Sequence, residues 1–233
     1  MMQSVMLRPG DAGFMSGGTV MVKKLHNIIR EQMNNNRNTY FFLLISFIFG
    51  VITGAFTVNG LSAMQRDELS NYLHGFLQLF GNQNVNSGEL FSAGLIENLK
   101  MIGLLWVLGV TVIGIPFIYL ILCVRGFVTG FTSGFVINAL GMKGMLFTGF
   151  ALFPKEMIII PCLIGIGVNG INFSMRLVKN RTVTEHQKPG LKSAFLSYCL
   201  VSLLFTCLAM VGIMVDAYVT PVLIRMIAPM VTM

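Results

Sequence analysis

The chain has 233 residues, of which 55% are hydrophobic and only 11% charged, with a mean hydropathy of +0.76. Soluble domains carry about 25% charged residues, so this composition excludes an ordinary soluble enzyme and indicates an all-α, polytopic membrane helix bundle. The net charge of +7 is then a topology signal first, and calls for no nucleic acid.

Residues 1–21 mix Gly, Ser and Met without a helical period and read as a disordered leader. They lack the basic head and apolar run of a signal peptide. Met21-Val22-Lys23-Lys24 reads as an alternative start, and residues 22–233 as one transmembrane domain. From Val22 to Met33, apolar residues at helical spacing alternate with Lys23, Lys24, Arg30 and Glu31. That pattern predicts a basic amphipathic helix on the inner leaflet, or a plain solvated helix leading into lipid.

The first span is expected at about Thr39 to Val58, close to the ~20 residues that cross a bilayer core. A long polar loop follows, over about 59–100. Within it Leu69, Leu73, Phe76, Leu77 and Phe80 recur at one helical face, with Arg66, Asp67, Glu68 and Gln78 elsewhere. This is an amphipathic surface helix whose apolar face must bury against lipid, the bundle or a partner. These five residues are the candidate partner-docking set. Gly81 to Gly88 is rich in turn formers. Ser87 or Glu89 starts the next helix, which passes Glu97, Asn98 and Lys100 before entering lipid near Met101.

The second span is predicted over Met101 to Val124, with a kink at Pro116. The third runs from Gly126 to Gly141. Its Gly126, Gly130 and Gly134 recur every fourth residue and stack on one helix face, where a neighbouring helix can approach closely. Met145 to Phe153 is too short to cross and is expected as a candidate re-entrant or interfacial segment. The fourth span covers Met157 to Phe173, opened by Pro154 and by Glu156 facing the positive end of the helix dipole. A basic loop over about 176–192 precedes the fifth span, Ala194 to Ala217. The tail beyond Thr220, with Pro221, Arg225 and Pro229, reads as interfacial.

With five spans and a cytoplasmic N-terminus, most of the 16 Lys and Arg residues face the cytoplasm. Only Arg66, Lys100, Lys143, Lys155 and Arg225 fall outside, so the positive-inside rule favours this arrangement. The C-terminus and the 59–100 loop are then extracytoplasmic.

No catalytic set emerges. His26, His74 and His186 lie far apart with no second ligand nearby, which predicts no metal site. Cys123, Cys162, Cys199 and Cys207 sit in apolar runs without ligand or disulfide spacing, and pack as small hydrophobes. Gly165 to Gly170 matches G-x-G-x-x-G. The dinucleotide fingerprint needs that motif between a strand and a helix, so these glycines are read as helix-packing positions. No cofactor is expected. The sequons at Asn172 and Asn180 face the predicted cytoplasm and stay unmodified. Two polar residues stand out as functional candidates. Glu156 is an acid at a membrane helix, against a plain role in the first turn. Asn98 enters lipid, where an amide can bridge helices. Arg125 is read as an interfacial anchor closing the second span.

Several segments resemble one family in order and spacing. They are Tyr40-Phe41-Phe42 with Phe49 to Asn59, then Arg125-Gly126-Phe127 with Gly130 to Phe135. Phe153-Pro154-Lys155-Glu156-Met157 to Pro161 and Phe173-Ser174-Met175-Arg176 follow. Together they resemble the stage II sporulation protein M family, from about Val22 to the fifth span. The resemblance implies an endospore former's protein acting in engulfment, in the mother-cell membrane that migrates around the forespore. It implies a non-enzymatic scaffold in membrane lipid. Its partners would be two extracytoplasmic peptidoglycan hydrolases, an amidase/endopeptidase and a lytic transglycosylase. The glycine seam, the short third span and Glu156 support a second hypothesis, a transporter or permease-like subunit.

Overall fold

The computed structural model describes residues 36–82, 87–182 and 191–232. The predicted leader and the basic helix Val22 to Met33 lie outside these residues. Six helices follow in order: α1 Arg37–Thr57, α2 Ala63–Asn82, α3 Ser87–Val110, α4 Gly114–Phe147, α5 Phe153–Thr182 and α6 Leu191–Thr232. A short 3-10 turn, Val58–Gly60, follows α1, and a π-helical turn, Thr148–Leu152, joins α4 to α5. The chain divides into Met1–Tyr40, described only from residue 36 as the entry into α1, and Phe41–Met233, which holds the bundle.

Among the described residues, five helical stretches are long and apolar enough to cross a membrane. They are Arg37–Gly60, Phe91–Val110, Gly114–Phe150, Phe153–Val178 and Lys192–Tyr218. The fourth is the centre of the bundle. Its most apolar window is 72% buried, against 22–33% for the other four. Every residue from Cys162 to Ile171 is buried, so α5 is enclosed on all sides over that stretch. The glycines of G-x-G-x-x-G make that enclosure close. Gly165 faces the Phe205 ring of α6, Gly167 faces Ile118 of α4 and Leu43 of α1, and Gly170 faces Gly109 of α3.

The α1–α4 contact is closer still. A Cβ at Gly126 would strike the Phe47 carbonyl, and one at Gly130 the Val51 carbonyl. From the other side, Gly50 meets the Cys123 carbonyl and Gly54 the Phe127 carbonyl. Gly134 is looser, since a Cβ there would lie 3.2 Å from the Ala55 Cα. Ser46 Oγ donates to the Tyr119 carbonyl at 2.9 Å and fastens the same pair of helices. On α1, Phe42, Phe49 and Phe56 are 57–70% exposed, the surface a lipid-facing helix presents.

The α3–α5–α6 contact is polar and aromatic. Tyr198 is buried and its hydroxyl donates to the Trp106 carbonyl at 2.7 Å. Asn169 Nδ2 donates to the Tyr198 carbonyl and Ser202 Oγ, both at 3.0 Å. Ser174 Oγ, fully buried, lies 2.7 Å from the Gly109 carbonyl and 2.9 Å from that of Thr111. It thereby serves carbonyls at the end of α3 that a helix leaves open. Phe173 stacks on Tyr198 at 4.8 Å between ring centroids. Tyr198→Phe keeps the stack and loses the hydroxyl. It should lower stability by about 0.6–1 kcal/mol, read as a drop in thermal unfolding temperature in detergent. No drop would show that the Trp106 contact is immaterial.

Several expectations need correction. The predicted second span is two helices. Thr111 ends α3, its N–H and Oγ1 both bonding the Leu108 carbonyl at 3.0 and 2.9 Å. Pro116 falls in the first turn of α4, where its missing N–H costs nothing, so it opens a helix rather than kinking one. Glu97, Asn98 and Lys100 consequently lie within a span, not ahead of it.

Met145 to Phe153 forms no separate re-entrant element. The chain breaks at Gly141 (φ 60°, ψ −132°), the one non-helical residue inside α4. It then doubles back so that Gly144 sits against the Val136 carbonyl. Only Gly takes that φ without strain. Helical dihedrals resume and continue through the π-helical turn into α5. The tail beyond Thr220 is helical to Thr232, through Pro221 and Pro229, and lies beyond the membrane-crossing stretch Lys192–Tyr218.

Candidate functional site

The new boundary at Thr111 places Arg125 inside α4, not at an interface. It lies ~16 Å from Gly114 at 1.5 Å per residue. A cation at that depth costs several kcal/mol unless it is paired. Arg125 is 8% exposed, and its Nη2 donates to Glu156 Oε1 at 2.9 Å. Glu156 is 9% exposed. Glu97 of α3 approaches the same guanidinium, its Oε1 at 3.6 Å from Nη1.

The neighbouring residue on α5 makes a second bridge. Lys155 Nζ donates to Asp216 Oδ2 of α6 at 3.2 Å, both side chains one quarter exposed. Successive residues on a helix point ~100° apart. Lys155 and Glu156 therefore tie α5 to two different neighbours, α6 and α4.

These groups line one cavity of about 140 Å³. α3 contributes Glu97 and Asn98, α4 contributes Arg125, Thr129, Thr132 and Ser133, α5 contributes Lys155 and Glu156, and α6 contributes Asp216. The α4 polar residues Arg125, Thr129 and Ser133 are spaced by four. They precede Gly126, Gly130 and Gly134 by one residue. One face of α4 thus locks onto α1 while the adjacent face lines the cavity. Thr129 Oγ1 donates to the Arg125 carbonyl and Ser133 Oγ to the Thr129 carbonyl, at 3.0 and 2.7 Å. Asn98 Nδ2 donates to the Gly94 carbonyl at 2.8 Å, which fixes the amide's orientation.

The structure thus brings two sequence candidates, Glu156 and Asn98, to one place. Arg125, Lys155, Glu97 and Asp216 join them there. The helix-packing glycines lie beside the cavity, on the α1 side. The docking candidates lie on α2, which packs against α6. Leu69 and Leu73 are half-buried there. The side chains of Phe76, Leu77 and Phe80 are outside those described. The four cysteines are free thiols. Among the described residues no group of His, Cys, Asp and Glu is placed to hold a metal ion.

Fold and site define a five-span helical membrane protein with a charged cavity inside the bundle. The chain belongs to the stage II sporulation protein M family, whose model matches residues 43–221. It is a sporulation-related membrane protein, of a family not known as an enzyme family. No curated protein matches the chain, and no solved structure does.

Proposed function

We propose that the protein is a non-enzymatic membrane scaffold in forespore engulfment. In this reading it holds an amidase/endopeptidase and a lytic transglycosylase against peptidoglycan outside the engulfing mother-cell membrane. The observation that carries it is α2. This helix connects the first two spans and packs on α6, yet leaves Met64 and Tyr72 82% and 81% exposed. Leu69 and Leu73 are half-buried, and the exposed Met64 and Tyr72 are left for a partner. The charge distribution supports an extracytoplasmic α2. Removing Arg125 from the cytoplasmic set leaves most of the Lys and Arg residues still inside. Family membership supports the sporulation setting.

The test is a tagged pull-down from sporulating cells after mild detergent extraction, read by mass spectrometry. Wild type should recover both hydrolases. Tyr72→Glu should reduce that recovery about tenfold, the effect of losing one aromatic anchor, with unchanged membrane insertion. Leu73→Glu should reduce it too, by unseating α2. Undiminished recovery with both variants would remove α2 as the docking site.

A further inference from the structure

We propose that the cavity binds the primary ammonium group of a small polar amine, of the 2-amino alcohol class. Charge favours a cation first. Glu97, Glu156 and Asp216 face Arg125 and Lys155 across the cavity, an excess of one negative charge. Both cations already bond a carboxylate, so an anion would enter a site with no free cation and the wrong net sign. A monocation brings the cluster to neutrality.

Hydrogen bonding narrows the class. Asn98 Oδ1 and Glu156 Oε2 are buried and have no hydrogen-bond partner among the described residues. Their residues are 7% and 9% exposed. Buried acceptors of this kind call for a donor. Glu97, whose side chain is 72% exposed, supplies a third acceptor, a carboxylate at the rim. Three acceptors suit the three N–H donors of a primary ammonium. Arg125 Nε is a buried donor, likewise without a partner among the described residues. It suits an oxygen on the same molecule, which an amino alcohol or its ester provides.

Size agrees. An engineered cavity of about 150 Å³ admits benzene, so about 140 Å³ here holds roughly six heavy atoms. Ethanolamine fits that space. The amine has two sources, free in solution or as the headgroup of phosphatidylethanolamine. The site does not rest on the scaffold reading, and each is tested separately.

The experiment uses the full chain in phosphatidylcholine nanodiscs. Radiolabelled ethanolamine is titrated, with choline as competitor, because choline carries the same charge and no N–H. In parallel, native mass spectrometry compares retained lipid in mixed phosphatidylethanolamine and phosphatidylcholine discs. Saturable ethanolamine binding that choline does not displace supports the proposal with a solution amine. Selective retention of phosphatidylethanolamine supports it with a lipid headgroup. Asn98→Leu should weaken whichever binding is seen about tenfold, the share of one charge-assisted hydrogen bond. Equal competition by choline overturns it. So does a wild type that neither binds ethanolamine nor retains phosphatidylethanolamine over phosphatidylcholine, a cavity then filled by water alone.

Discussion

Gly130→Ala and Gly126→Ala should each destabilise the protein by about 2 kcal/mol in thermal unfolding, although alanine is the better helix former. The sign is the test. In an open stretch of helix the same change gains up to ~1 kcal/mol. Gly103→Ala is the control, since nothing lies within 4 Å of the Cβ it would add. It should be neutral or stabilising. At Gly130 the added methyl meets the carbonyl, carbon and Cα of Val51. Backbone atoms cannot swing aside as a side chain does, so α1 and α4 must separate. Gly134→Ala should be mild, because its neighbours are 3.2–3.4 Å away. A stabilising Gly130→Ala would mean that the helices do not cross as described.

The second large effect belongs to Arg125 and Glu156. Arg125→Leu and Glu156→Leu should each cost about 3–5 kcal/mol, because each takes from a buried charge the partner it bonds at 2.9 Å. The double variant Arg125→Leu/Glu156→Leu should be more stable than either single one, since both charges are gone. Glu97→Gln should cost less than either, as its carboxylate is the more distant partner of Arg125, at 3.6 Å, and is 72% exposed at the cavity rim. A double variant as unstable as the sum of the singles would show that the two residues act independently. Then the 2.9 Å contact would not be what holds α4 to α5.

The all-helical class and five spans were legible because hydropathy over ~20 residues reports them directly. The boundary at Thr111 was hidden by apolar sequence that runs unbroken from Met101 to Val124. Gly114-Ile115-Pro116 carried the missed signal, since proline near a helix start is as ordinary as proline at a kink. Arg125 misled in a specific way. Charge in an apolar sequence usually marks a membrane edge, and here it marks a buried partner. Glu156 and Asn98 stood out singly, as polar groups beside lipid. Their convergence was not legible, because the Arg125–Glu156 contact spans 31 residues and the Lys155–Asp216 contact 61. Local periodicity holds no record of such distances. The cost of leaving Arg125 and Glu156 unpaired in lipid was the clue that could have joined them.

The Arg125–Glu156 bridge joins residues made at different times. Arg125 leaves the ribosome 31 residues before Glu156, roughly 2–6 s earlier at 5–20 residues per second. During that interval α4 carries a cation whose lasting counter-charge has not been made. Glu97 already exists by then, on the preceding helix and joined to α4 by the short turn at Thr111. α3 and α4 can therefore enter the bilayer as a charge-matched hairpin, with Glu97 as the temporary companion of Arg125. In the finished bundle Glu156 is the nearer partner, at 2.9 Å against 3.6 Å, and Glu97 lies at the rim of the cavity. Glu97→Gln should therefore lower the yield of membrane-inserted protein more than it lowers the unfolding temperature of the protein once inserted.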